Sequence, residues 1–346
     1  MSRCRIDRGA QLLLPILCCT FTAPLVAAQP YNVALVSHGG AYWPVQVVGR
    51  YAYVGAGGGS QPLFAVVDVS TPTSPILVGR AGLPDWAIGI HVNEGLAYVG
   101  DGVAGLQIVD VTNPTSPTVR GSYPTQWLTN SVFVSGGLAF VADGKAGLQI
   151  VNVTNPSSPT LRCRYKTPDY AADVFVSGGL AYVADHSSLQ ILDITDPSSP
   201  TLRGSYQDPS GGRIWNVFVS SGVAYVTATS GDYWTGYYAT FLSLDVANPA
   251  APRLLGSYGT AGVGAGLYVS GGMAYVLMGD GLSVLDVTLR SVPRLGGFYP
   301  VDLLSEGDGQ VSMSSGLLYV TGFYADLYIL RFTSPPSRAV RWSLYR

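Results

Sequence analysis

The chain has 346 residues, with 19 Lys and Arg against 21 Asp and Glu and a formal net charge of −2. Charged residues make up only 12% of it, while 43 residues are Gly and 22 are Tyr; this is the profile of an all-β protein rich in tight turns, not of a helical or disordered one. A balance so close to neutral leaves no basic footprint and argues against nucleic acid as a partner.

The chain opens with Arg3, Arg5 and Arg8, runs through apolar residues from Leu12 to Val26, and reaches the small residues Ala27 and Ala28 before Gln29. That order predicts a secretory signal peptide over residues 1–28, cleaved after Ala28. The apolar run is broken by Pro15 and Pro24 and is shorter than the roughly 20 residues a membrane-crossing helix needs. The expectation is therefore an exported protein (secreted, periplasmic or at the cell surface) with no membrane span after cleavage. Cys4, Cys18 and Cys19 fall in this leader, so Cys163 is the only cysteine of the expected mature chain. Without an internal disulfide, the fold must rest on its core.

From residue 29 onward the chain is repetitive. Aligning on the phrase Gly-Leu-Ala-Tyr-Val places its aromatic at Tyr53, Tyr98, Phe140, Tyr182, Tyr225, Tyr275 and Tyr319, at spacings of 45, 42, 42, 43, 50 and 44 residues. Such spacings suit four-stranded propeller blades and are too long for leucine-rich or ankyrin units. The third copy shows the pattern: Val132–Val134, Leu138–Ala142, Leu148–Val153 and Thr160–Tyr165 read as strands, separated by Gly, Asn, Ser and Pro. The fold predicted is all-β, a single seven-bladed β-propeller of four-stranded antiparallel blades spanning residues 29–346. Ring closure has two candidates, Val33–Ser37 near the start and Arg338–Tyr345 at the end.

Two recurring residue types belong to this scaffold. Arginine recurs in the fourth strand (Arg80, Arg120, Arg162, Arg203, Arg253, Arg294), the outer edge of a blade, where charge discourages edge-to-edge association. Aspartate recurs at the end of the third strand (Asp68, Asp110, Asp193, Asp245, Asp286, with Asn152 once), where it is expected to accept hydrogen bonds from nearby backbone N–H groups. Cys163 takes a place that sister copies give to Gly121 and Gly204, which points to a small strand residue and not to a nucleophile.

The third-strand phrases Leu106-Gln-Ile-Val-Asp-Val-Thr-Asn-Pro114, Leu148-Gln-Ile-Val-Asn-Val-Thr-Asn-Pro156 and Leu189-Gln-Ile-Leu-Asp-Ile-Thr-Asp-Pro197 resemble the core of LVIVD-repeat proteins. The resemblance covers nearly the whole expected mature chain and implies an exported or surface β-propeller. It brings no catalytic motif with it. Copies one, five, six and seven depart from the phrase, so the blade count rests on the second strand.

Function is expected where the copies differ, in the loops that gather on one face of the ring. Several carry an aromatic shortly before the first strand of a blade: Trp43, Trp86, Trp127, Tyr170 and Trp215. In the fifth copy, the stretch Thr229–Thr240 adds Tyr233, Trp234, Tyr237 and Tyr238. Aromatics on one face suit stacking on sugar rings or anchoring a protein partner; the alternative is that they cover the top of the core and that the 229–240 stretch packs locally. Asp173 stands at the channel mouth, where sister copies have Ser131, Asn216 and Gln310. With Arg213, His186 or a second loop acid (Asp85, Asp169, Asp208, Asp302, Glu306, Asp308) it could serve glycosidic chemistry, given carboxylates about 5–9.5 Å apart; otherwise it belongs to a polar rim. Asp101, Asp143 and Asp185 recur after the second strand and read as turn formers before a cation site. His91 aligns with Phe133, Phe175, Phe218 and Tyr268, which suggests a core role.

No nucleophile elbow, His-Glu-x-x-His, Cys-x-x-Cys, EF-hand or phosphate loop is present, so neither a metal nor a cofactor is expected. The reading is a binding module for a glycan or another extracytoplasmic protein. A polysaccharide lyase or glycoside hydrolase and an architectural envelope protein are the alternatives.

Overall fold

The computed structural model describes residues 42–56, 61–232, 234–279, 281–301, 309–322 and 327–331. These residues form seven antiparallel sheets, each built from strands consecutive in the chain and paired in sequence order. Six sheets have four strands, and the seventh has three among the described residues. In the third blade the strands are Ser131–Ser135, Leu138–Ala142, Leu148–Asn152 and Thr160–Tyr165, within a residue or two of the bounds expected from the sequence. The expected leader 1–28 and both closing segments, Val33–Ser37 and Arg338–Tyr345, lie outside the described residues, as do Asp302, Glu306 and Asp308.

The core is seven separate layers, one in each seam between blades. One cluster joins Phe140 and Ile150 of blade 3 to Val174 and Val183 of blade 4; another joins Ile191 of blade 4 to Ile214 and Val226 of blade 5. The seam that closes the ring is built in the same way, with Val45, Val54 and Val67 of blade 1 packed against Tyr319, Leu327 and Ile329 of blade 7. Second and third strands are therefore covered on both faces and read as largely apolar runs such as Leu-Gln-Ile-Val, whose one polar side chain is buried with the rest, whereas outer strands such as Thr118–Tyr123 are mostly exposed. This is the burial that stacked sheets impose.

The recurring third-strand acids behave as expected. The side chains of Asp110, Asn152, Asp193, Asp245 and Asp286 each accept the N–H two residues on, at 2.9–3.0 Å. Arginines of the outer strand add ion pairs to the same carboxylates, Arg120 to Asp110 at 2.9 Å and Arg253 to Asp245 at 2.8 Å.

Two aromatics expected in loops lie instead inside inner strands, Trp43 in Tyr42–Val48 and Trp215 in Arg213–Ser220. In both, a register shift (between Tyr42 and Val45, and between Ile214 and Asn216) lets pairing continue upward past the point where sister strands begin. The 229–240 stretch is not a loop either. Val223–Asp232 and Gly236–Asp245 pair residue for residue through the whole insertion, and the outer strand Arg253–Ala261 lengthens to match. Blade 5 thus carries a twisted ribbon that rises about 10 Å above the start of its inner strand.

Candidate functional site

The inner strands of all seven blades surround a central cavity of about 230 Å³. Register places equivalent residues in layers. One layer contains Ser131, Asp173, Asn216 and Gln310, which pair with Ala142, Ala184, Thr227 and Thr321 of their second strands. Two residues further down, His91, Phe133, Phe175, Phe218 and Tyr268 pair with the second-strand aromatics at the centre of the repeat phrase. In blades 1 and 7 this lower layer is completed by Gln46 and Ser312.

An inner strand is a sheet edge, and its free N–H groups need partners. Side chains of the preceding blade supply them. Ser312 Oγ accepts from Val47 N at 3.0 Å, Gln46 Oε1 from Val92 N at 2.6 Å, and Asp173 Oδ2 from Val217 N at 3.0 Å. The Asp173 carboxylate also accepts from Val174 N at 2.8 Å and from the side chains of Ser131 and Asn216. Burial pushes its pKa up, and these four hydrogen bonds oppose that shift. Burial also lowers His91 to about 4, so its imidazole is neutral.

The face that carries the second-to-third-strand turns and the blade-to-blade connections holds the predicted aromatics. Trp86 and Trp127 stand in connections, 39% and 48% exposed, and Lys145 Nζ lies 5.4 Å from the Trp127 ring centroid. From Trp127 onward the rings form one row across three blades. A methyl group added to Gly144 would meet Trp127 at 2.5 Å and Tyr170 at 2.9 Å, so Gly144 is the slot that lets these two rings close on the turn from either side. Tyr170 is fixed by its hydroxyl, 3.1 Å from Asn130 Oδ1, and stacks on His186 at 4.7 Å between centroids. His186 in turn meets Trp215 edge-on at 4.2 Å. Burial holds His186 neutral, near 4, and its Nε2 makes no hydrogen bond.

Beyond Trp215 rises the blade 5 ribbon. Its turn is tied by Asp232 Oδ1, which accepts from Trp234 N, Thr235 N and Thr235 Oγ1 at 2.8–2.9 Å. Trp234 at the tip is 89% exposed. Tyr237 and Tyr238 follow at 38% and 49%, and the Tyr238 ring packs on Gly259, where an added methyl group would meet it. Tyr233 and the side chain of Trp43 lie outside the described residues.

The structure therefore brings Trp127, Tyr170, His186 and Trp215 together, with the ribbon next to them. It sets Asp173 apart from His186 and Arg213, whose charge, with that of Asp169, is close enough to act on the imidazole. Asp173 lines the central cavity, His186 belongs to the aromatic row above, and Arg213 is exposed at the head of an inner strand. Among the described residues Asp173 is the one acid lining the cavity. Two of the other loop acids serve the backbone: Asp85 accepts from Val103 N at 2.8 Å, and Asp208 from Ser210 N at 3.1 Å.

The acids after the second strand also hold backbone, as hubs for the incoming connection. Asp143 accepts from Gln126 N and Trp127 N at 2.9 and 3.0 Å and from the Gln149 amide, and Asp185 from Asp169 N at 2.9 Å. Asp101 has only Asp85 N at 3.3 Å, and its Oδ1 is unpartnered. Burial raises Asp101 to about 7 and Asp185 to about 6. No group of three or more metal-ligating side chains occurs among the described residues.

The aromatic lining of the cavity was not singled out from sequence as a site. The signal was the alignment column shared by His91, Phe133, Phe175, Phe218 and Tyr268, whose regularity reads as core.

Comparison with known structures shows the same fold at low identity. The β-propeller domain of Cps50 (Swd1) from Myceliophteria thermophila aligns with TM-score 0.68 and 12% identity over 88% of this chain and 100% of that one. BamB from Moraxella catarrhalis aligns with TM-score 0.58 and 10% identity over 88% and 99%. A functionally unknown protein from Desulfotomaculum acetoxidans aligns with TM-score 0.61 and 16% identity over 77% and 91%. Among curated proteins no relative matches. The LVIVD repeat matches six times, at residues 39–81, 86–125, 128–167, 168–208, 211–260 and 261–300, so that each of the first six blades is one repeat and the chain belongs to the LVIVD repeat family.

Proposed function

We propose that this chain is an exported binding module that holds an extracytoplasmic protein on the aromatic face of blades 3 to 5. The observation that carries the reading is the contiguous row Trp127, Tyr170, His186 and Trp215 beside a ribbon whose tip residue Trp234 is 89% exposed. Rigid, partly exposed aromatics lose little side-chain entropy on binding and are the usual anchors of protein interfaces. A glycan is the second reading, favoured by Tyr170, whose ring is fixed by Asn130 as a stacking platform would be. Glycosidic chemistry is the less favoured reading, because among the described residues no second acid lines the cavity that holds Asp173.

Photo-crosslinking in the cells of origin tests the proposal. A benzoylphenylalanine at position 127 or 234 is expected to trap one discrete protein, while the same probe at position 221, on the opposite face, traps none. Equal trapping from both faces, or none from either, overturns the reading. A glycan array with the purified protein decides the second reading, with Trp127→Ala expected to abolish any signal. Amino-terminal sequencing of the extracellular or periplasmic protein tests export, with Gln29 as the expected first residue.

A further inference from the structure

The central cavity is chemically unlike the aromatic face. Its lower layer is a collar of five rings, His91, Phe133, Phe175, Phe218 and Tyr268, from five consecutive blades. Neighbouring rings lie 4.7, 5.1, 5.1 and 5.3 Å apart and are tilted by 48°, 54°, 51° and 58°. One seventh of a turn is about 51°, so each ring holds the same attitude toward its own blade. Rings leaning toward the horizontal would show smaller tilts; these stand upright, with their planes along the channel axis.

The spacing also fixes the width of the collar. On a sevenfold circle, neighbours about 5 Å apart lie about 6 Å from the axis. A cation on the axis would therefore stand about 6 Å from all five centroids, within reach of the quadrupole of any ring that turns its face to it. The two remaining positions of the layer, Gln46 and Ser312, have their oxygens engaged with Val92 N and Val47 N.

Above the collar the one acid among the described residues that line the cavity is Asp173, two residues from Phe175 and so about 7 Å up the same strand. No Lys or Arg among the described residues lines the cavity, and His91 is held neutral by burial. The carboxylate is thus well supplied with hydrogen bonds and lacks a countercharge. A volume of about 230 Å³ is below the ~300 Å³ at which sites for drug-sized ligands begin, which restricts the occupant to a small molecule.

We propose that the central cavity binds a small organic ammonium ion, a methylated or primary amine, with its charge between the Asp173 carboxylate and the upright collar. Rings accept the methyl surface and the positive charge together, and Ser131 and Asn216 leave the site polar at its upper rim.

Calorimetric titration of the full mature chain with choline and with its neutral carbon isostere, 3,3-dimethylbutan-1-ol, tests this. One choline is expected to bind per chain, at least tenfold more tightly than the alcohol. Asp173→Asn, which keeps the size of the side chain and an oxygen for Val217 N, is expected to weaken choline at least fivefold and leave the alcohol unchanged. Phe218→Leu retains the carboxylate and serves where Asp173→Asn does not fold; it too is expected to weaken choline at least threefold. Equal affinity for choline and the alcohol, no binding of choline at 20 mM, or unchanged choline binding in both variants overturns the proposal. Trp127→Ala and Trp234→Ala should leave choline binding intact, so this result stands or falls apart from the partner on the outer face.

Discussion

Aspartates at the ends of the second and third strands look alike in the repeat and do opposite things to stability as pH changes. Those closing the third strand, such as Asp110 and Asp286, are held below the usual carboxylate range by the threonine two residues on, and their contribution is lost only in strong acid. Asp101 is buried, has one long hydrogen bond, and titrates near 7 in the folded chain. A carboxyl whose pKa is raised by folding carries no penalty below its unfolded value near 3.8 and an increasing one as pH climbs through its folded value. Denaturant unfolding of the wild type should accordingly lose stability between pH 4 and 8, and Asp101→Asn should remove part of that slope. The sequence displayed two recurring sets of turn acids, and what separates them is burial, which a repeat pattern does not record. A similar contrast holds at the outer strand. A methyl group on Gly204 would meet Pro249 O at 2.3 Å, a backbone atom of the next blade that cannot swing away. Gly204→Ala is expected to cost about 2 kcal/mol, whereas Cys163→Ala, at the equivalent place in blade 3 where a side chain is already accommodated, should cost under about 1 kcal/mol. Sequence alignment put both residues in one column, and it does not record how closely the next blade approaches Gly204.

The ribbon of blade 5 shows how an element can escape a strand reading. Its sequence is full of Ser, Gly, Thr and Asp, so it reads as a loop, and neither strand has the apolar alternation that marks a half-buried sheet. Pairing holds because the outer strand grows with it to Ala261 and gives Tyr238 and Ala239 a second partner. The turn rests on one side chain. Asp232→Ala removes three hydrogen bonds and is expected to fray the tip and weaken partner binding, with a change of less than about 1 kcal/mol in global unfolding. Trp234→Ala should reduce partner binding at least tenfold while leaving stability within about 0.5 kcal/mol. If its melting temperature falls as steeply as its affinity, Trp234 is a packing residue. The same period rule that hides the ribbon also explains the aromatic row, since Trp127, Tyr170, His186 and Trp215 come from connections and turns of successive repeats and meet only when the blades are stacked.

The architecture of the whole was legible because every blade solves the same problem with the same residues; seven copies of one phrase specify seven sheets, and each seam then repeats its neighbour. The cavity and the row were only partly legible, because both are made of one residue from each of several blades and depend on the angle between blades, which no single repeat contains. Closure is the least repetitive part. The seam between blades 7 and 1 is packed by Tyr319, 2% exposed, against Val45, Val54 and Val67, and latched by Val47 N on Ser312 Oγ. Tyr319→Ala is expected to cost about 3–5 kcal/mol in chemical unfolding. At the other six seams the chain itself passes from one blade to the next, but across this one the described residues supply no peptide link. With handles attached at Tyr42 and Arg331, a pull would load the packing of this seam directly, and in an optical trap Tyr319→Ala is expected to lower the force of the first rupture and leave later ones unchanged.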